Sequence, residues 1–147
     1  GVTEAIKNSA AIKAYVCNVM TQPGETDNYT VTDHIKAIEK HSYEGIIDYC
    51  IVNTDDIKME LKEKYAIDGS VLVKMKPAEF YEQKNIRIVG EGFISTRGEF
   101  VRHDAFKLAQ ILMKLVADNV LYKDKKRSID YYYTKERLKL LCRRESV

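Results

Sequence analysis

The chain has 147 residues, 45% of them apolar and 31% charged, with a formal net charge of +2. That length is enough for one globular domain burying roughly 68–70% of the surface its unfolded chain exposes. So small a charge gives no argument for nucleic acid, and no run approaches the roughly 18 apolar residues of a membrane span.

Residues 2–8 read as a helix with Ala5 facing inward. Residues 12–17 are apolar and rich in β-formers, so they read as a strand. The polar stretch that follows, roughly 18–30, is longer than the 2–6 residues usual between strand and helix. Thr30 suits the cap of a helix over 31–40, with Asp33 as its capping-box partner. Val31, Ile35 and Ile38 form the core stripe of that helix at i, i+4 and i+7. After Gly45, residues 46–53 (IIDYCIVN) are almost continuously apolar, as in a strand covered on both faces. Asp55 or Asp56 is then expected to cap a helix with the inner stripe Ile57, Leu61 and Tyr65.

Asp68-Gly69 is a turn signal, and residues 70–75 alternate as a strand through Val71, Val73 and Met75. Pro77 suits the first turn of a helix running to residue 83, and residues 86–89 read as another strand. Residues 95–99 look like a β-turn. Asp104 is placed to cap a strongly apolar helix that includes Phe106, Leu108, Ile111, Leu112 and Leu115. Its hydrophobic residues occupy more than one face, which predicts deep burial.

Beyond Ala117 the composition changes. Residues 123–127 (KDKKR) form a basic connector, Tyr131-Tyr132-Tyr133 follows, and Thr134 can cap a final helix over 135–144. The expected organisation is a body of residues 1–118 and an appendage of residues 119–147. The appendage would pack on this body or on a neighbouring subunit. Strands alternating with helices predict an α/β fold, with a mainly parallel sheet, helices on both faces and a helical C-terminal tail.

Cys17, Cys50 and Cys142 are odd in number and far apart, and two of them end strand-like runs. They read as buried thiols in a reducing cytosol, which sets the expected localisation as cytoplasmic. His34, His41 and His103 show no metal-ligand spacing with them, so no metal site is expected.

Ligands of open α/β sheets bind just beyond the carboxyl ends of strands, which makes the polar loop after the first strand the leading candidate site. Pro23-Gly24 marks a turn in it, with glycine free to take positive φ. Backbone N–H groups behind such a turn can gather on an anion, and Thr21, Gln22 and Thr26 add side-chain donors. The competing reading is that these groups only close the loop on itself. Asn53-Thr54-Asp55 ends the second strand and either lines the same crevice or caps a helix. Gly90-Glu91-Gly92 is no phosphate loop, because no helix opens there. Arg102, just before a helix N-terminus, combines a donor fork with free N–H groups and suits a phosphate. Its structural alternative is an ion pair with Glu99 or Asp104. His103 reads as a locally bonded residue, and no catalytic triad or carboxylate pair can be picked from spacing.

The block AYVCNVMTQPGETDNYTVTDHIKAI closely resembles the C-terminal half of the gluconeogenesis factor family (YvcK-like, UPF0052). That family falls within the 2-phospho-L-lactate transferase (CofD-like) group. IDYCIVNTDDI and FVRHDAFKLA resemble two further blocks in the same order. The resemblance covers roughly residues 1–115. It implies a Rossmann-like fold and a nucleotide-diphosphate ligand: a UDP-sugar of the UDP-N-acetylglucosamine type in the gluconeogenesis-factor branch, a guanosine diphosphate derivative in the transferase branch. It places Asn18, Thr21, Gln22 and Gly24 in the cleft, Arg102 on the nucleotide-sugar, and Tyr65 at a ligand-contacting position. The residues alone give Tyr65 a core role. The family's glycine-rich phosphate loop has no counterpart here, so the chain reads as the C-terminal part of a longer protein.

Three functions compete. The leading one is a nucleotide-sugar-binding regulator of carbon flux into cell-wall precursors and of cell shape, without catalysis. The second is a phospho-group transferase of the 2-phospho-L-lactate transferase type. The third is an oligomerising structural module. Expected partners are the UDP-sugar and further copies of the chain, with no nucleic acid and no membrane insertion.

Overall fold

The computed structural model describes residues 1–76, 85–97 and 100–121, with side chains through residue 119. The chain divides into two compact units, Gly1–Ala105 and Phe106–Val147. The first holds helix α1 (Val2–Asn8), strand β1 (Ala14–Val16), helix α2 (Val31–His41), strand β2 (Tyr49–Asn53), helix α3 (Met59–Ile67) and strands β3 (Arg87–Glu91), β4 (Ile94–Ser95) and β5 (Arg102–His103). Helix α4 (Ala105–Val116) continues into the second unit and ends in a π-type turn, Ala117–Leu121.

β1, β2 and β3 form a parallel sheet in that order, with Val16 opposite Ile51 and Ile51 opposite Val89. β2 is central, and its residues Tyr49 to Val52 are all buried, as its unbroken apolar run requires. Cys50 and Val52 join Cys17, Val31, Ile35 and Val73 in the main core, while Ile51 is fully buried on the opposite face. The fold is α/β and Rossmann-like, as the alternating pattern predicts.

α2 forms where expected. Thr30 Oγ1 accepts from the Asp33 N–H at 3.3 Å, and Asp33 Oδ2 accepts from the Thr30 N–H at 2.9 Å. The Thr30 N–H, and after it the Thr30 hydroxyl donating to the same oxygen at 2.9 Å, hold the Asp33 carboxyl below its usual range.

Several expectations change. Ala5 is exposed, and α1 buries no residue. α3 begins at Met59 behind Lys58, not behind Asp55 or Asp56. The Asp55 carboxylate is drawn instead to the Ile94 N–H at 3.2 Å, and Asp56 pairs with Lys62 at 2.7 Å. Ile57 is buried ahead of the helix rather than on its stripe, and no residue of α3 is fully buried. Residues 70–75 do not join the parallel sheet. They lie antiparallel along the loop after β1, through a bridge between Met20 and Leu72.

The hairpin β4–β5 was not legible, and it puts Arg102 in a strand opposite Ser95. α4 buries Leu115 but leaves Phe106, Met113 and Val116 close to half exposed. Its apolar residues span more of the circumference than its packing covers. The helix expected over 77–83, part of the 95–99 turn and residues 122–147 of the appendage, Cys142 among them, lie outside the described residues.

Gly92 sits where no side chain fits. A Cβ there would lie 2.7 Å from Asp55 Cγ, against the carboxylate that receives the Ile94 N–H. Gly92→Ala is therefore expected to cost about 1–3 kcal/mol, the usual range for overpacking. Urea denaturation measures it, and a loss below about 0.5 kcal/mol, as for an ordinary surface change, would show that Asp55 swings aside freely.

Candidate functional site

A cleft of about 610 Å³ opens beyond the carboxyl end of β1. Its size lies within the roughly 300–1,000 Å³ of small-molecule sites. The floor comes from the loop leaving β1, with Asn18, Thr21 and Gln22. Tyr65 and Asp68 enter from the end of α3, Ser70 from the segment after it, and Arg102 and His103 from β5. Five of the six residues expected at the site therefore share one cleft. Gly24 lies outside its lining, at φ +82° in the turn after Pro23, where it shapes the loop.

The loop is held mainly by its own bonds. Thr26 Oγ1 accepts from the Gln22 N–H at 2.8 Å, and Asp27 Oδ2 accepts from the Gly24 N–H at 3.0 Å. The Glu25 and Thr26 N–H groups both donate to the Gln22 carbonyl. The anion nest expected behind Pro23-Gly24 is thus closed on itself, and the competing reading describes its backbone. The half-buried Asn18 and exposed Gln22 side chains still lie on the cleft wall.

A second set of bonds joins this loop to residues 70–73. Ser70 Oγ donates to the Thr21 carbonyl at 2.5 Å, and the Val71 N–H donates to Thr21 Oγ1 at 2.9 Å. The Thr21 N–H donates to the Val71 carbonyl and the Val73 N–H to that of Val19. Thr21, 2% exposed, is therefore a wall-forming residue rather than an outward donor.

The third wall hangs from the end of β2. Asn53 Oδ1 accepts from the Phe93 N–H and from the Asp55 N–H, both at 3.2 Å. The Asp104 N–H closes the same corner on the Phe93 carbonyl at 2.7 Å. So Asn53 and Asp55 neither line the cleft nor cap a helix; they seat the β4–β5 hairpin. The His103 ring lies 5.5 Å from that of Phe93, and its Nε2 is 3.3 Å from the Cys17 carbonyl oxygen.

Tyr65 is half-buried, and its hydroxyl oxygen accepts from the Val101 N–H at 2.7 Å. That bond ties α3 to the strand carrying Arg102 and leaves the phenol proton free to donate. Arg102 is exposed, with its guanidinium 5.4 Å from the Phe100 ring centroid.

Beneath the cleft, Cys17 and Cys50 are free thiols at 1% and 0% exposure. The Cys50 thiol hydrogen-bonds the Cys17 sulfur, which holds Cys17 below the usual thiol range. The same bond, together with burial, pushes Cys50 far up. Among the described residues no group of three His, Cys, Asp or Glu side chains could hold a metal ion. Nor is any helix among them long and apolar enough to cross a membrane.

Asp68, Ser70 and His103 are cleft residues that sequence reasoning did not select. The Asp68-Gly69 turn was visible, but nothing local linked it to a loop about 45 residues earlier in the chain.

The family model for 2-phospho-L-lactate transferase CofD matches residues 1–94. A Clostridium acetobutylicum relative is 41% identical over 138 residues, covering 94% of this chain and 30% of its own length. The protein named gluconeogenesis factor from Bacillus subtilis is 35% identical over 117 residues, covering 80% of this chain and 37% of itself. A solved member of the UPF0052 family from Bacillus halodurans superposes with a TM-score of 0.71 at 36% identity, over 77% of this chain and 36% of that one. The chain thus spans about a third of the length of the curated relatives it matches.

Proposed function

The chain belongs to the 2-phospho-L-lactate transferase CofD family, among relatives that carry the name gluconeogenesis factor, and from that premise we propose that its cleft binds a nucleotide-sugar as a regulatory ligand. The ligand is a UDP-sugar of the UDP-N-acetylglucosamine type. Its binding reports on the supply of cell-wall precursors, and through that on carbon flux and cell shape. The observation that carries this reading is one cleft beyond β1 lined by Asn18, Gln22, Tyr65 and Arg102, drawn from three separate parts of the chain. An arginine fork suits the diphosphate, and the neutral donors suit the sugar and base.

The second reading is group transfer, and the family's own name favours it. Among the described cleft residues, Asp68, His103 and Tyr65 are the side chains suited to act as an acid or base; His103 is turned to the Cys17 carbonyl and the Tyr65 oxygen already accepts from the Val101 N–H. One experiment separates the two. UDP-N-acetylglucosamine, UDP and GDP are titrated into the protein by calorimetry, and the mixtures are then chromatographed. Binding with the nucleotide-sugar recovered intact supports the regulator. Appearance of a transfer product supports the enzyme and overturns the regulator. No binding of any of the three overturns the ligand class.

The homo-oligomer is also carried forward as a proposal. Among the described residues β1 is an edge strand, Val2 and Ile6 of α1 are exposed, and a groove of about 450 Å³ is lined by Ile6, Ile12, Ile38 and Ile46. Light scattering is expected to give at least a dimer mass, and a monomer mass at high concentration overturns it.

A further inference from the structure

Asp68 is the only acidic side chain among the described residues that line the cleft. It is exposed, and no described group hydrogen-bonds its carboxylate. Its position is also poor for the helix. Asp68 is the C-terminal cap residue of α3, where the helix end already carries partial negative charge. An acid there is disfavoured by the helix dipole, and Lys64 in the last turn offsets that only in part. Asp68 suits the turn into Gly69, but its charge opposes the helix end, and a residue set against a local rule is a candidate for a role beyond the fold.

The backbone that carries it is nonetheless held in place. The Asp68 N–H donates to the Tyr65 carbonyl at 3.1 Å, and the Ser70 N–H donates to the same oxygen at 3.0 Å. Ser70 Oγ is tied in turn to the Thr21 carbonyl. Asp68 therefore stands on a short segment fixed at both ends, between the Tyr65 and Ser70 that also line the cleft.

A diphosphate by itself is repelled by such a group. The cleft offers a cation at Arg102 and an anion with a helix C-terminus at Asp68, so it is electrostatically two-sided. A ligand that matches both sides carries an anionic portion and a portion rich in hydroxyl donors. Resting on the nucleotide-sugar reading above, we propose that Asp68 accepts hydrogen bonds from a vicinal diol of the bound nucleotide-sugar and so determines which nucleotides the cleft retains. An ionised carboxylate is acceptor-only and takes two hydroxyl donors at once, which an amide or a hydroxyl does less well.

The diol comes either from the hexose or from the ribose, and the ligands distinguish the two. Asp68→Ala, Asp68→Asn and the wild type are titrated by calorimetry with UDP-N-acetylglucosamine, UDP and 2′,3′-dideoxy-UDP. Asp68→Ala is expected to bind UDP-N-acetylglucosamine roughly 10-fold to 100-fold more weakly, the size of a lost hydrogen bond to a charged group. Asp68→Asn is expected to recover part of that loss. Unchanged or tighter UDP binding by the same variants assigns the diol to the hexose. Equal weakening of both, with dideoxy-UDP unaffected, assigns it to the ribose. If all three ligands bind the variants as well as or better than the wild type, Asp68 is only a repelling charge and the proposal falls. If the wild type binds none of them, the ligand class itself is wrong and the proposal falls with it. The residue is exposed, so unchanged melting temperatures are expected to separate any affinity loss from unfolding.

Discussion

Phe93→Ala is expected to lose about 3–5 kcal/mol of stability, the largest effect of any single substitution discussed for this chain. Phe93 is the largest fully buried side chain among the described residues, at 0% exposure. Its backbone is gripped on both sides, by Asn53 Oδ1 on its N–H and by the Asp104 N–H on its carbonyl. Those bonds survive truncation, so the cavity left by the ring cannot close by letting the segment slide inward. The ring also stands beside His103 in β5. With it gone, the hairpin that carries Arg102 keeps its backbone bonds but loses the packing under His103. A urea titration should show the midpoint falling with little change in slope, and ligand affinity should fall with it. Phe93→Leu keeps most of the volume and is expected to lose much less. A loss below about 1 kcal/mol for the alanine variant, outside the range for emptying a packed site, would mean that the pocket around Phe93 collapses freely.

Arg102→Ala should do the opposite, lowering affinity and sparing the fold. The side chain is exposed and rests on the face of Phe100, so its removal is expected to cost within about 0.5 kcal/mol of stability. If its fork holds the diphosphate, nucleotide-sugar binding weakens roughly 10-fold to 100-fold, as for a charge-assisted hydrogen bond. Arg102→Lys restores the charge without the planar fork and should recover only part of the affinity. The comparison is made by calorimetry beside thermal melts. If both variants bind like the wild type while their melting temperatures fall, Arg102 is a structural residue.

Both experiments probe one corner, and the sequence disclosed its parts unevenly. Arg102 stood out because a basic residue in the short FVRHD segment, ahead of a strongly apolar helix, is a local signal. Phe93 did not, because nothing in GEGFIS announces a hairpin whose second strand begins after a gap. Asn53 and Asp55 were correctly placed at a strand end. Their bonds to residues 93 and 94 are about 40 residues distant along the chain and could not be inferred from spacing. The polar loop after β1 was found by its length and composition. That its amides turn inward was decided by Thr26 and Asp27, which compete with any ligand for the same N–H groups.

By itself the sequence determined the parallel α/β core, because unbroken apolar runs and helical stripes are patterns within one segment. It determined the Thr30–Asp33 cap for the same reason, since its two partners are three residues apart. It also carried the family, through a continuous motif after β1. Only the tertiary structure decided that residues 70–75 lie along the β1 loop and leave the sheet, that Tyr65 ties α3 to β5, and that Asp68 faces the same cleft as Arg102. Each of these joins segments about 35 to 50 residues apart in sequence. Such pairings depend on the total packing of many elements, and no single segment encodes that sum.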